Sequence, residues 1–181
     1  MPSRQLRTLW NKNAPLPLAD MTRTRLVSFF LGLLAASATP WAQADTREIP
    51  YADLGPWRVF VIEDDGKFSR CVADSDSASG KLRFSREANG LRVTVPCAGE
   101  GTQVVKVKLG QHTGDMALTP NSAKGAACRA TTTPLPTDWR KALREEGTLT
   151  FTHGGQQRTW SLTRVSPTLD AVEACFKTRG R

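Results

Sequence analysis

Beyond residue 56 apolar and polar residues alternate along most of the chain, the two-residue period of strands with one buried face. Trp57, Val59 and Val61 interleave with Arg58, Phe60 and Ile62 until Asp65-Gly66 ends the run, and Lys67 to Ala73 is the expected partner. Asp74 to Gly80 reads as a Ser/Asp loop. Lys81 to Arg86 and Leu91 to Val95 flank Asn89-Gly90, and Asn-Gly between alternating segments predicts a tight hairpin because both residues accept positive φ. Gln103 to Leu109 sets Val105, Val107 and Leu109 opposite Lys106 and Lys108. Met116 to Leu118 and Ala127 to Thr131 are weaker strands, and Thr148 to Thr152 with Arg158 to Thr163 make a second hairpin around Gly154-Gly155.

Two segments switch to helical spacing. Thr137-Asp138 supplies a cap and an acidic first turn, Trp139 and Leu143 share a face, and Gly147 ends the helix. Ser166-Pro167 opens the second, with Pro at the favoured first position, and Leu169, Val172 and Phe176 then recur beside Cys175. The predicted fold class is mainly β: an antiparallel β-sandwich or meander with a short internal helix and a C-terminal helix, closed by two disulfides.

The first 44 residues carry a different pattern. Met21 is followed by Thr22-Arg23-Thr24-Arg25, an apolar run from Leu26 to Ala36, and Ala42-Gln43-Ala44. A basic segment, a short apolar core and a small-residue site are the three parts of a secretory signal peptide. The apolar run is too short to cross a bilayer, which needs about 20 residues. Cleavage after Ala44 is expected, and Asp45 in place of Cys predicts no lipid anchor. Residues 1–20 are polar and contain Pro15 and Pro17, which fits a start-site extension ahead of Met21 or a long leader. The expected organisation is therefore 1–20 extension or leader, 21–44 signal peptide, and 45–181 a single secreted β-rich domain, long enough for a real core.

Charge follows from that division. The net charge of +8 includes five basic residues and one acidic residue within the first 44, so the remainder carries +4. That mild excess does not point to nucleic acid, and no membrane-spanning segment is expected. All four cysteines (Cys71, Cys97, Cys128, Cys175) fall in the secreted part. An even count in an exported chain predicts disulfides, and the absence of CxxC removes the zinc-knuckle and thioredoxin-type signatures. Cys97 ends a strand in phase with Leu91, Val93 and Val95, and Cys128 begins another. Cys71–Cys175 with Cys97–Cys128 is the favoured pairing, the pairing of sequence neighbours its rival.

Catalytic chemistry finds no constellation. There is no Gly-x-Ser-x-Gly elbow, the even cysteine count leaves no thiol over, and His112 and His153 sit beside turn glycines without an acidic orienter. Asp64-Asp65 suits a turn. Asp74 and Asp76 with Gly80 resemble a calcium loop, but Ser85 stands where the bidentate Glu belongs. No cofactor or metal is predicted. Trp57, Trp139 and Trp160 are in phase with apolar neighbours and read as core. If Leu82, Phe84, Val93, Val105 and Val107 face inward, then Lys81, Arg83, Arg92, Lys106 and Lys108 face outward and form one basic face on three neighbouring strands. Such a face either keeps a sheet soluble or binds a protein or an anionic envelope component.

An ordered series runs through the secreted part: Trp57-x-Val59, Cys71, Cys128-x-Ala130, the Leu143 helix, Gly147-x-Leu149-x-Phe151, Ser161-Leu162, and Leu169-x-x-Val172-x-x-Cys175 in a terminal helix. It resembles the invasion-associated locus B family of small periplasmic proteins of Gram-negative bacteria. Val61 and Ile62 stand where that family carries a cysteine soon after the first Trp-x-Val. The resemblance implies an exported, β-rich, invasion-linked protein and supplies no active site to carry over. The resulting reading is a periplasmic or secreted, non-catalytic binding or accessory protein. The alternatives are an inhibitor or immunity protein against a cell-wall hydrolase or toxin, a small hydrolase with a site near His112 or His153, and an envelope structural protein.

Overall fold

The computed structural model describes residues 45–97, 101–121, 127–145 and 147–180. The expected leader, residues 1–20 and 21–44, lies outside them. The elements run β1 (Thr46–Asp53), β2 (Arg58–Asp64), β3 (Lys67–Ser75), β4 (Leu82–Glu87), β5 (Gly90–Pro96), β6 (Gln103–Leu109), β7 (His112–Pro120), β8 (Arg129–Thr132), α1 (Thr137–Leu143), β9 (Thr148–His153), β10 (Gln156–Ser161) and α2 (Val165–Arg179). The strands form one antiparallel sheet in the order β1-β2-β3-β4-β5-β8-β7-β6-β9-β10.

The first five strands are a meander. The chain then leaves β5, builds β6 and β7 further out, and returns as β8 to fill the gap. The sheet folds about this seam, so Val59, Ala73, Phe84 and Val93 from one half share a core with Val107, Leu149, Phe151 and Trp160 from the other. Two contacts close the fold. Arg158 Nη1 donates to the Pro96 carbonyl at 3.0 Å, and Trp160 Nε1 donates to the Gly80 carbonyl at 2.8 Å. Gly80 adopts φ +91°, and a Cβ there would stand 2.6 Å from Pro96 Cγ, so this loop admits only glycine without rearrangement.

Both disulfides follow the favoured pairing. Cys71 of β3 joins Cys175 of α2 across 104 residues, and both are wholly buried. Val165, Leu169 and Val172 lay α2 against the core, while Arg86 stacks on Phe176 at 4.5 Å and pairs with Glu173 at 2.9 Å. Cys97–Cys128 links the end of β5 to the start of β8, with the Cys97 amide donating to the Cys128 carbonyl at 3.1 Å.

Several sequence expectations change. β1 is a strand the period-2 pattern misses, because it is an edge strand whose residues are mostly exposed. β3 runs through Ser75, so Asp74 is a buried strand residue, not part of a loop. β7 spans nine residues, not three, its outer positions being polar. Trp57 and Trp160 are core residues as expected, whereas Trp139 is half-buried and packs on Gly114 and, at 6.2 Å between ring centroids, on His112.

Candidate functional site

The alternation that sends Leu82, Phe84, Val93, Val95 and Ala130 into the core sends their neighbours to the opposite face. The register aligns four of these outward residues in one row across the sheet: Arg83 of β4 opposite Thr94 of β5, Thr94 opposite Thr131 of β8, and Thr131 opposite Thr119 of β7. In the next row Ser85 faces Arg92. Together with Arg70, Glu87, Asn121, Arg129, Thr132 and Thr133 these residues line a groove of about 580 Å³. Every lining side chain among the described residues is polar.

The hydroxyls are tied together. Thr94 Oγ1 and Thr131 Oγ1 lie 2.9 Å apart, and Asn121 Nδ2 donates to Thr131 Oγ1 at 2.6 Å. The arginines are held by carboxylates. Arg83 grips Asp74 bidentately, Nε to Oδ1 at 2.6 Å and Nη2 to Oδ2 at 2.7 Å, and Nη2 also donates to Glu48 Oε1 at 2.8 Å. β1 and β4 are three strand spacings apart, about 14 Å in a flat sheet, so the Arg83–Glu48 pair reaches across the two strands between them. Lys81 Nζ adds a 3.3 Å bond to Asp74 Oδ2. Arg70 Nη1 donates to Asp64 Oδ2 at 3.1 Å and Ser69 Oγ at 2.9 Å. Arg92 Nη1 donates to the Thr132 carbonyl at 3.2 Å, while its buried Nε sits 3.0 Å from Glu87 Oε2 without the alignment of a hydrogen bond.

These contacts set the ionisation. Burial alone would raise the Asp74 carboxyl, but the Arg83 hydrogen bonds and charge, with Lys81, hold it below the ordinary carboxylate range. The same carboxylates outweigh desolvation at Arg83 and push its guanidinium above its ordinary value. Hydrogen bonds from Ser69 and Thr46, aided by the Arg70 charge, lower Asp64. The groove is thus less a pool of excess charge than a set of guanidiniums fixed in place. Arg83 Nη1 and Arg92 Nη2 have no protein acceptor among the described residues.

The structure divides the basic face predicted from sequence. Arg83 and Arg92 line the groove, and Lys81 supports it through Asp74. Lys106 and Lys108 do not join them: β6 is three strand spacings from β5, because β8 and β7 lie between. They line a separate depression with Thr113, Gly114, Asp115 and Thr152. Arg70, Arg129 and the hydroxyl row escape sequence reasoning. Their outward positions follow from alternation, but their adjacency follows from the strand crossover.

Elsewhere the expected chemistry is dispersed. His112 is exposed at the start of β7, and His153 is half-buried at the end of β9. Asp76 pairs with Arg58 at 2.9 Å, away from the Asp74 carboxylate that Arg83 occupies. Among the described residues no group of three His, Cys, Asp or Glu side chains is placed to hold a metal ion, and no helix is long and apolar enough to cross a membrane. All four cysteines are paired.

No protein-family model matches the chain, and no curated protein matches it. The chain is similar to a solved structure described as invasion associated protein b from Bartonella henselae, with a TM-score of 0.48 and 16% identity, covering 70% of this chain and 97% of that one.

Proposed function

We propose that the chain is an exported, non-catalytic binding protein whose partner is anionic and docks in the groove on the outer face of β3, β4, β5, β8 and β7. One observation carries this reading: four arginines from four adjacent strands and a row of hydroxyls share one concave surface whose described lining is polar throughout. Arginine suits this task because its planar donors match carboxylate and phosphate oxygens. Export is supported by the leader-like pattern of residues 21–44 and by two disulfides, which persist in oxidising compartments.

Expression of the full chain, followed by fractionation and N-terminal sequencing, tests the location; a product beginning at Asp45 outside the cytoplasm is expected. Capture of envelope components by that product tests the groove. Arg92→Glu should abolish capture while leaving the thermal transition cooperative. Undiminished capture by this variant excludes the groove.

A further inference from the structure

We propose that the groove holds the acidic groups of a polysaccharide, its carboxylates or phosphates bound by the arginines and its hydroxyls by the threonine row. This inference rests on the groove being the binding surface and adds the class of ligand.

Three features select that class. The first is the spread of charge. Arg70, Arg83, Arg92 and Arg129 stand on β3, β4, β5 and β8, consecutive in the sheet and about 4.8 Å apart from strand to strand. From β3 to β8 that is roughly 14 Å, too wide for one small anion and suited to a chain that repeats its charge. The second is the composition of the surface. Protein interfaces carry an apolar, often aromatic centre, and a protein held on a lipid surface by insertion needs an apolar edge. The described lining residues contain neither, and the exposed large apolar residues, Tyr51 and Val104, lie outside the groove. The third is the hydroxyl row. Thr119 is exposed and can donate and accept, as can the hydroxyls of a sugar, while Thr94 and Thr131 spend one O–H on each other and keep the second. With no aromatic ring to stack on, a neutral sugar would gain little, so charge is required of the ligand.

The protein's own carboxylates sharpen the expectation. Glu48 and Glu87 already face Arg83 and Arg92, and both are partly open to solvent. An acidic sugar therefore competes with them, which predicts modest affinity that falls with added salt.

Equilibrium binding to protein exported from the full chain tests the proposal, using oligogalacturonate, phosphomannan, dextran, poly-L-glutamate and inorganic phosphate as probes. Oligogalacturonate or phosphomannan should bind, whichever does so naming carboxylate or phosphate as the preferred group. Dextran should not bind, and poly-L-glutamate and inorganic phosphate should bind at least tenfold more weakly. Arg92→Gln should weaken the acidic sugar about tenfold, the loss expected when one charged hydrogen-bonding group is removed. Thr119→Val, at an exposed position, should weaken it several-fold with an unchanged melting temperature. Lys106→Glu with Lys108→Glu should leave it unchanged. Equal or tighter binding of poly-L-glutamate overturns the polysaccharide assignment and keeps the anion-binding reading. Equal binding of dextran overturns the role of charge. Binding that survives both Arg92→Gln and Thr119→Val in folded protein places the site elsewhere, and no binding by any polyanion overturns both readings.

Discussion

Asp74 is the one carboxylate fully buried among the described residues, and it accepts two hydrogen bonds from the Arg83 guanidinium. Removing one member of a buried ion pair strands the other, at a cost of about 3–5 kcal/mol. Asp74→Asn should therefore lower the stability read from urea unfolding by about that amount. The pH dependence has a definite sign. The folded protein holds the Asp74 carboxyl below its ordinary value of 3.8, so its contribution is complete above about pH 4 and is lost as pH falls through the depressed value. Wild type should lose stability below pH 4 more steeply than Asp74→Asn, Asp64 adding a loss of the same sign to both. The outward direction of Arg83 and Arg92 was legible from alternation with Leu82, Phe84, Leu91 and Val93. The burial of Asp74 was not, because Asp-Ser-Asp-Ser composition matches a loop equally well and its ionic partners come from other strands.

At the scale of elements, local chemistry was informative wherever one face met the core. The Asn89-Gly90 and Gly154-Gly155 hairpins, the α2 stripe and the cysteine phases all arose from patterns shorter than 20 residues. β1 was illegible because an exposed edge strand has no buried face to write an alternation. The loop before β4 shows a different dependence, with Gly80 pressed on Pro96 and accepting the Trp160 indole bond. Gly80→Ala combines a positive-φ penalty with a steric one, and should cost about 1–3 kcal/mol in unfolding experiments. Gly66→Ala supplies the comparison: φ +72° and open space predict a penalty of about 1 kcal/mol.

At the scale of the molecule, strand order decides what the surface can do. β8 returns between β5 and β7, and only this crossover gathers Arg129, Thr131 and Thr119 beside Arg83 and Arg92 while sending Lys106 and Lys108 away. Alternation specifies facing, not neighbours, so the groove could not be read before the sheet was known. The two disulfides act over different distances. Opening the 104-residue Cys71–Cys175 loop should cost about 4.7 kcal/mol in the chain-entropy account, so Cys71→Ala with Cys175→Ala should give a much lower urea midpoint. Cys71–Cys175 has no exposure, whereas Cys128 is exposed. Graded reduction followed by mass spectrometry should open Cys97–Cys128 first.

The Cys97–Cys128 link sits where β5 departs and β8 comes back, three residues from Thr94 and from Thr131. It acts as a latch on the register of the hydroxyl row. Without that link the local hairpins keep their own turns, whereas the β5–β8 pairing beneath the proposed binding surface loses its covalent anchor. On the proposed function, competence to bind would then be acquired on oxidation rather than on synthesis.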